Sequence, residues 1–219
     1  MTTAAAIVRD LHAAADPGEH AKVLARVGDP AAVIGVRMRD VFTLAKRYSA
    51  VGLGEIDALL DERSYEARMV AVSILDLRAR DRGASLGDRR AWAALYLNRH
   101  DRLDQWDLVD RAAPRVIGGW LLAADPAERR VLTELAASPD PNRRRTAITA
   151  TFWLVRHGQA GEALDIAARL VDDPEPLVRN SVAVALREVG RLDADRRDAF
   201  LAAHPTRVSA TVRRVALSA

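Results

Sequence analysis

The sequence predicts an all-α fold of short helices joined by tight turns, and three observations carry that expectation. Apolar residues recur every three or four positions in one segment after another, the spacing of a buried helical stripe. No alternating apolar–polar run is long enough to make a strand. Asp-Pro steps punctuate the chain, stopping segments at 16–17 and 29–30 and opening them at 125–126, 140–141 and 173–174. Proline is well placed in a first turn, where its missing N–H has no partner to lose.

Taken in order, residues 3–15 form an Ala-rich helix stopped by Asp16-Pro17-Gly18, and residues 19–27 a second, ended by Gly28-Asp29-Pro30. Val36, Val41, Leu44, Ala45 and Tyr48 give helical spacing across 33–48. Gly52-Leu53-Gly54 breaks it, and a short helix follows to Leu60. Tyr65, Met69, Val72 and Leu75 mark a longer helix over 64–80, with Ser64 as its N-cap. After the 83–87 loop, Asp88 can cap a helix to Asn98 whose core face is Trp92, Leu95 and Tyr96. The next runs from Leu103, with a kink or break expected at Pro114 before 116–123. Helices over 127–137, 142–157, 160–171, 175–189, 195–203 and 206–217 complete about twelve in all.

With 219 residues, 49% apolar and 29% charged, the chain can bury a sizeable core. The whole of 1–219 is expected to be one repeat domain. No cysteine is present, which excludes disulfides, thiolate nucleophiles and Cys-ligated zinc. The five histidines are scattered without a metal-binding spacing, so no metal and no cofactor are expected. No Gly-rich phosphate loop or nucleophile elbow occurs. No apolar stretch approaches a membrane span and the N-terminus lacks a basic leader, so a cytoplasmic location is expected. Net charge is only +3, but two of the 33 basic residues are lysine and 31 are arginine. Genome composition is one account of that bias; the other is that arginine offers phosphate a bidentate fork that lysine lacks.

Two stretches stand out. In Leu103-Asp-Gln-Trp-Asp-Leu-Val-Asp110, Trp106 and Asp110 are one helical turn apart on a common face, while Asp107 points about 100° away. They are either a carboxylate and an indole set against a developing positive charge or a core Trp near a surface Asp. In Asn142-Arg-Arg-Arg-Thr-Ala-Ile148, three arginines follow an Asp-Pro start. Aligning Arg145 with Arg179 and Ile148 with Val182 gives a period of 34, with a one-residue slip at the turn. Asp-Pro, then a basic residue at a second helix, then small and apolar positions resembles a HEAT repeat. Such pairs stack into an α-solenoid because neither can bury its apolar face alone. A concave basic groove is expected, with arginines and helix N-termini turned toward phosphate.

A sharper resemblance is to the AlkD-like DNA alkylation repair family, HEAT-like glycosylases that remove alkylated purines. Val33-Ile-Gly-Val-Arg-Met-Arg-Asp-Val41 resembles its "(F/L)-x-G-(I/V)" stretch, and Arg63-Ser-Tyr-Glu-Ala-Arg-Met-Val-Ala71 its "E-x-(R/Q)-x-x-A" helix. Gln105-Trp-Asp-Leu-Val-Asp110 is similar to "W-W-D-x-V-D", the most specific motif, and Arg143-Arg-Arg-Thr-Ala-Ile148 to "(W/R)-x-(Q/R)-R-x-A-I". The resemblance implies that Asp110 is the catalytic carboxylate, Trp106 an aromatic wall beside the deoxyribose, and Arg145 a phosphate contact. Arg143, Arg144, Arg179 and Arg187 join the expected DNA-binding set. The implied substrate is double-stranded DNA carrying cationic N3- or N7-alkylpurines, acted on by a monomer.

The chain departs from the pattern at three places. Val184 stands where a second tryptophan is expected, Val27 where a tyrosine is, and Gln105 where the first Trp of the pair is. Trp153, beside Ile148, Phe152 and Leu154, reads as core, and Trp120 has no basis for a place in the groove. The alternative is therefore a non-catalytic HEAT scaffold that binds DNA or protein.

Overall fold

A computed structural model describes residues 2–218. Every regular element among the described residues is helical, and the sole extended pairing among them is an isolated bridge between Ala15 and Val36. Among the described residues thirteen α-helices follow one another: α1 Ala4–Ala13, α2 Pro17–Val27, α3 Met38–Arg47, α4 Leu53–Asp61, α5 Tyr65–Ala79, α6 Leu86–Asn98, α7 Trp106–Ala123, α8 Arg130–Ala136, α9 Pro141–Arg156, α10 Gly161–Leu170, α11 Pro176–Leu192, α12 Ala194–Ala203 and α13 Ala210–Ala216. The fold is the all-α, paired-helix class expected. The chain divides into two compact units, residues 1–112 and 113–219, and the division falls within α7.

In the first unit α5 is the hub, packed against α1, α3, α4 and α6. That explains why its sequence carries no clean polar face: all but Leu77 and Arg78 of its fifteen residues are buried. Burying a side chain such as Ile74 or Leu75 contributes roughly 1.5–3 kcal/mol. Three charged residues of this helix, Glu66, Arg68 and Asp76, are buried with it, and each has a structural task; Asp76 accepts from Arg80 (2.6 Å) and lies 3.3 Å from Arg111. Glu66 accepts from the backbone N–H groups of Ile34 (3.1 Å), Gly35 (2.7 Å) and Val36 (3.3 Å). Arg68 donates to the Arg102 carbonyl (3.1 Å) and pairs with Asp104 (2.7 Å). A buried charge is tolerable when it is paired and hydrogen-bonded in this way, although the Arg68 Nε has no hydrogen-bond partner.

The Glu66 anchor corrects the helix expected over 33–48. Residues 33–36 are not helical, the N–H groups of 34–36 going to Glu66, and α3 starts only at Met38. Gly35 sits at φ +92°, and a Cβ there would lie 2.6 Å from the His20 Cβ. Only glycine suits that backbone and that approach.

In the second unit α9, α11 and α13 pack successively on one another, with α8 and α10 in a second layer. Gly118 lets α7 come close to α9: a Cβ would fall 2.9 Å from the Trp153 Cβ and closer still to the Ala150 carbonyl oxygen. Pro114 lies inside α7 without ending it, so the expected break does not occur.

Three helices start at an acidic cap followed by proline. Asp16, Asp140 and Glu175 cap α2, α9 and α11, with Pro17, Pro141 and Pro176 behind them. Asp16-Pro17 thus opens α2 as well as ending α1. Ser85, not Asp88, caps α6, and Asp88 closes a reciprocal capping box from the third position. Pro126–Arg129 is a 3₁₀ turn ahead of α8. Gly190 lies within α11, which continues to Leu192. α13 is shorter than expected, since Ser209 caps it.

The caps also correct the repeat register. Asp140 and Glu175 cap equivalent prolines, and Ser138 and Asp173 accept from the backbone N–H of those two caps. Arg144 donates to the carbonyls of Ser138 and Pro139, and Arg179 donates to those of Asp173 and Pro174. Arg144 is therefore the counterpart of Arg179, and the period is 35 rather than 34. Two prolines compete in Asp173-Pro-Glu-Pro176, and the second one starts the helix.

Candidate active site

The first turn of α7 presents Trp106, 38% exposed, and Asp110, half-buried, on one face. Asp107 is turned elsewhere and tightly held. Its Oδ2 accepts from the Tyr65 hydroxyl (2.7 Å) and from Arg26 (2.7 Å), whose guanidinium also lies 4.7 Å from the Tyr65 ring centroid. Burial, and then the adjacent Asp107 charge, push the Tyr65 hydroxyl well above its ordinary pKa of 10.0, so it remains a donor. Behind the turn, Leu103 is buried and Arg68 grips residues 102 and 104. The helix start is fixed by these neighbours, with Trp106 exposed and Asp110 half-buried.

Further along the same helix, Arg111 donates to the Ser73 hydroxyl (3.1 Å), approaches Asp76 (3.3 Å) and lies 4.4 Å from the Phe42 ring. These contacts tie α7 to α5 and α3 and orient the face carrying Asp110.

The expected DNA-binding arginines lie in the second unit and differ sharply in freedom. Arg145 is only 6% exposed and donates to the Leu177 carbonyl of the next repeat. Arg144 makes a two-pronged pair with the buried Asp173, Nε to Oδ2 at 2.6 Å and NH2 to Oδ1 at 3.0 Å. That hydrogen bond holds the Arg144 pKa above its ordinary value. Arg179 is engaged by the carbonyls already described. Arg143 is half-buried and makes no ion pair among the described residues, while Arg187 is half-buried with Glu188 at 3.6 Å.

Trp120 is buried on α7, with its indole N–H unpartnered. Trp153 is not core. It is half-buried and lines an open cleft of about 300 Å³ with Pro114, Arg115, Phe152, Arg156, Val184, Glu188 and Arg191. Sequence reasoning missed it because Ile148 and Leu154, on either side, are core, and a one-dimensional run does not show which face of a helix is open. The useful signal was Arg156, three residues on, which marks the outward face.

A family model for DNA alkylation repair enzymes matches residues 7–219, so the chain belongs to that family. Among solved structures, it resembles a chain described as a predicted DNA alkylation repair enzyme from Enterococcus faecalis. That match has a TM-score of 0.72 and 15% identity, covering 92% of this chain and 94% of the other. It also resembles AlkD2 from Streptococcus mutans, with a TM-score of 0.58 and 18% identity over 90% of this chain and 95% of the other. Comparison with curated proteins found no match. No helix among the described residues is long and apolar enough to cross a membrane.

Proposed function

We propose that this chain is a DNA glycosylase that releases N3- and N7-alkylated purines from duplex DNA in the cytoplasm, working as a monomer without metal or cofactor. The observation carrying the reading is the first turn of α7: an exposed indole and a carboxylate share one face, while Asp107 is locked away by Tyr65 and Arg26. An alkylated purine of this kind is already cationic, so its glycosidic bond is weak and the base can leave without prior protonation. What the enzyme must supply is stabilisation of the oxocarbenium-like sugar and a positioned water. Asp110 supplies the negative charge where the positive charge develops. Trp106 offers its π-face to the deoxyribose and keeps bulk water from it. Arg143 and Arg187 reach backbone phosphates directly. Arg144, Arg145 and Arg179 act by holding the starts of α9 and α11, whose positive ends favour phosphate. That is a positioning part rather than the direct contact expected from the sequence.

The reading is tested by release of 7-methylguanine or 3-methyladenine from alkylated duplex DNA. Wild type should release base, and Asp110→Asn should bind DNA equally well but release little. A second reading, a non-catalytic DNA-binding member of the family, is favoured by Val184, which leaves the second unit one indole short of the family pattern. It predicts DNA binding with no base release by either protein.

A further inference from the structure

Helix α2 is weakly built into the first unit. Among its eleven described residues Val23 alone is buried, whereas α4, with nine, buries Ile56, Leu59 and Leu60. An open space of about 290 Å³ lies beside it, lined by Glu19, Lys22, Val23, Arg26, Val36 and Met38. An element with so little apolar burial opens at low cost, before the rest of the fold does. We propose that α2 is a flap hinged at its N-terminal end, and that Arg26 latches its other end to the first turn of α7. Arg26 is then a positioning residue, because the placement of Trp106 and Asp110 depends on the flap being closed. The role rests on the reading of Asp110 as the catalytic carboxylate.

The two ends of α2 are held differently. At its start, Asp16 caps the helix and donates its own N–H to the Gly35 carbonyl (2.8 Å), and Arg37 pairs with Asp16 (2.9 Å). Gly35 meets His20 too closely for a Cβ, and its N–H goes to Glu66 of the α5 hub, so this end is fixed to the centre of the unit. At its finish, Gly28 turns the chain out of the helix at φ +81°, and Arg26 reaches across to Asp107 and to the face of the Tyr65 ring. The Arg26 side chain is partly exposed, so on release its charge passes to water rather than into an apolar interior. A cation hydrated in both states makes a reversible latch. Release removes one of the two donors on the Asp107 Oδ2, whose companion oxygen is buried without a partner. Asp107 follows Trp106 directly and lies one helical turn from Asp110. Loss of that donor therefore loosens the turn that carries both.

Hydrogen exchange of the full chain without DNA reads the flap directly. In wild type the amides of 21–27 should exchange at least about tenfold faster than those of α5. Arg26→Gln should raise exchange further over 21–27 and also at Asp110 and Arg111, leaving α5 unchanged. Tyr65→Phe should raise it at Asp110 and Arg111 alone, since phenylalanine keeps the ring that Arg26 covers. Arg26→Lys keeps a cation for Asp107 and should recover part of the closed state, which separates latching from a packing defect. In single-turnover release of 7-methylguanine, Arg26→Gln should lower the maximal rate about 10- to 100-fold by misplacing the carboxylate. The duplex concentration giving half that rate should change by less than about twofold, because the interaction lost belongs to the transition state. Exchange over 21–27 as slow as in α5, or unaltered by Arg26→Gln, would overturn the flap. Faster exchange there with an unchanged maximal rate would overturn the positioning role. No base release by wild type would remove the catalytic reading, while faster exchange at Asp110 in Arg26→Gln would still support the latch.

Discussion

Asp107 and Asp110 are three residues apart in one helix, yet their surroundings assign them different work. Asp107 has two donors on a single oxygen, and its other oxygen is buried without a partner. It is spent on holding the helix start. Tyr65→Phe removes one donor from that buried carboxylate and should cost about 1.5–3 kcal/mol of stability by denaturant titration. Base release should fall with it only as far as the α7 turn loosens. Gly118→Ala tests a different contact. The added methyl meets the α9 backbone at Ala150, and overpacking of this kind should cost about 1–3 kcal/mol in the same titration. An unchanged midpoint would mean that the two helices can separate freely.

At the scale of elements, the repeat is stitched by charged groups inside it. Asp173 is almost fully buried, accepts from Arg144 twice and caps the turn ahead of α11. Asp173→Ala should therefore cost roughly 3–5 kcal/mol, because it leaves Arg144 charged and poorly partnered. A surface pair such as Arg130–Glu134 should lose at most about 1 kcal/mol when broken. Much of this level was legible in the sequence. Helical periodicity and Asp-Pro punctuation placed most of the helices, since both report local backbone chemistry. What failed was whatever a distant residue decides. Glu66 takes the N–H groups of 34–36 across thirty positions, so the apolar spacing there misled. The repeat was off by one because Asp-Pro-Glu-Pro offers two starts, and only the cap hydrogen bonds choose between them. At the site, the spacing of Trp106 and Asp110 was legible, while the partners of Asp107, the engagement of Arg145 and the openness around Trp153 depend on packing.

For the molecule as a whole, acid should destabilise before base does. Hydrogen bonds from arginines hold Asp29, Asp61 and Asp172 below their ordinary pKa of 3.8: Arg63, Arg99 and Arg207, respectively. A carboxylate with a depressed folded pKa contributes stability above its unfolded value, and that contribution disappears as pH falls through the folded one. Thermal midpoints should therefore fall below about pH 4, each exposed pair adding little. We propose that residues 1–219 act as a single HEAT-like repeat domain, which predicts one unfolding transition in calorimetry; two resolved transitions would separate the units. The central claim concerns chemistry at Asp110, and single-turnover release of 7-methylguanine from methylated duplex DNA addresses it most directly. Wild type should release the base, and Asp110→Asn should do so about 100-fold or more slowly at unchanged DNA affinity. Equal rates for the two proteins, or no release by wild type under conditions where it binds the duplex, would contradict the account.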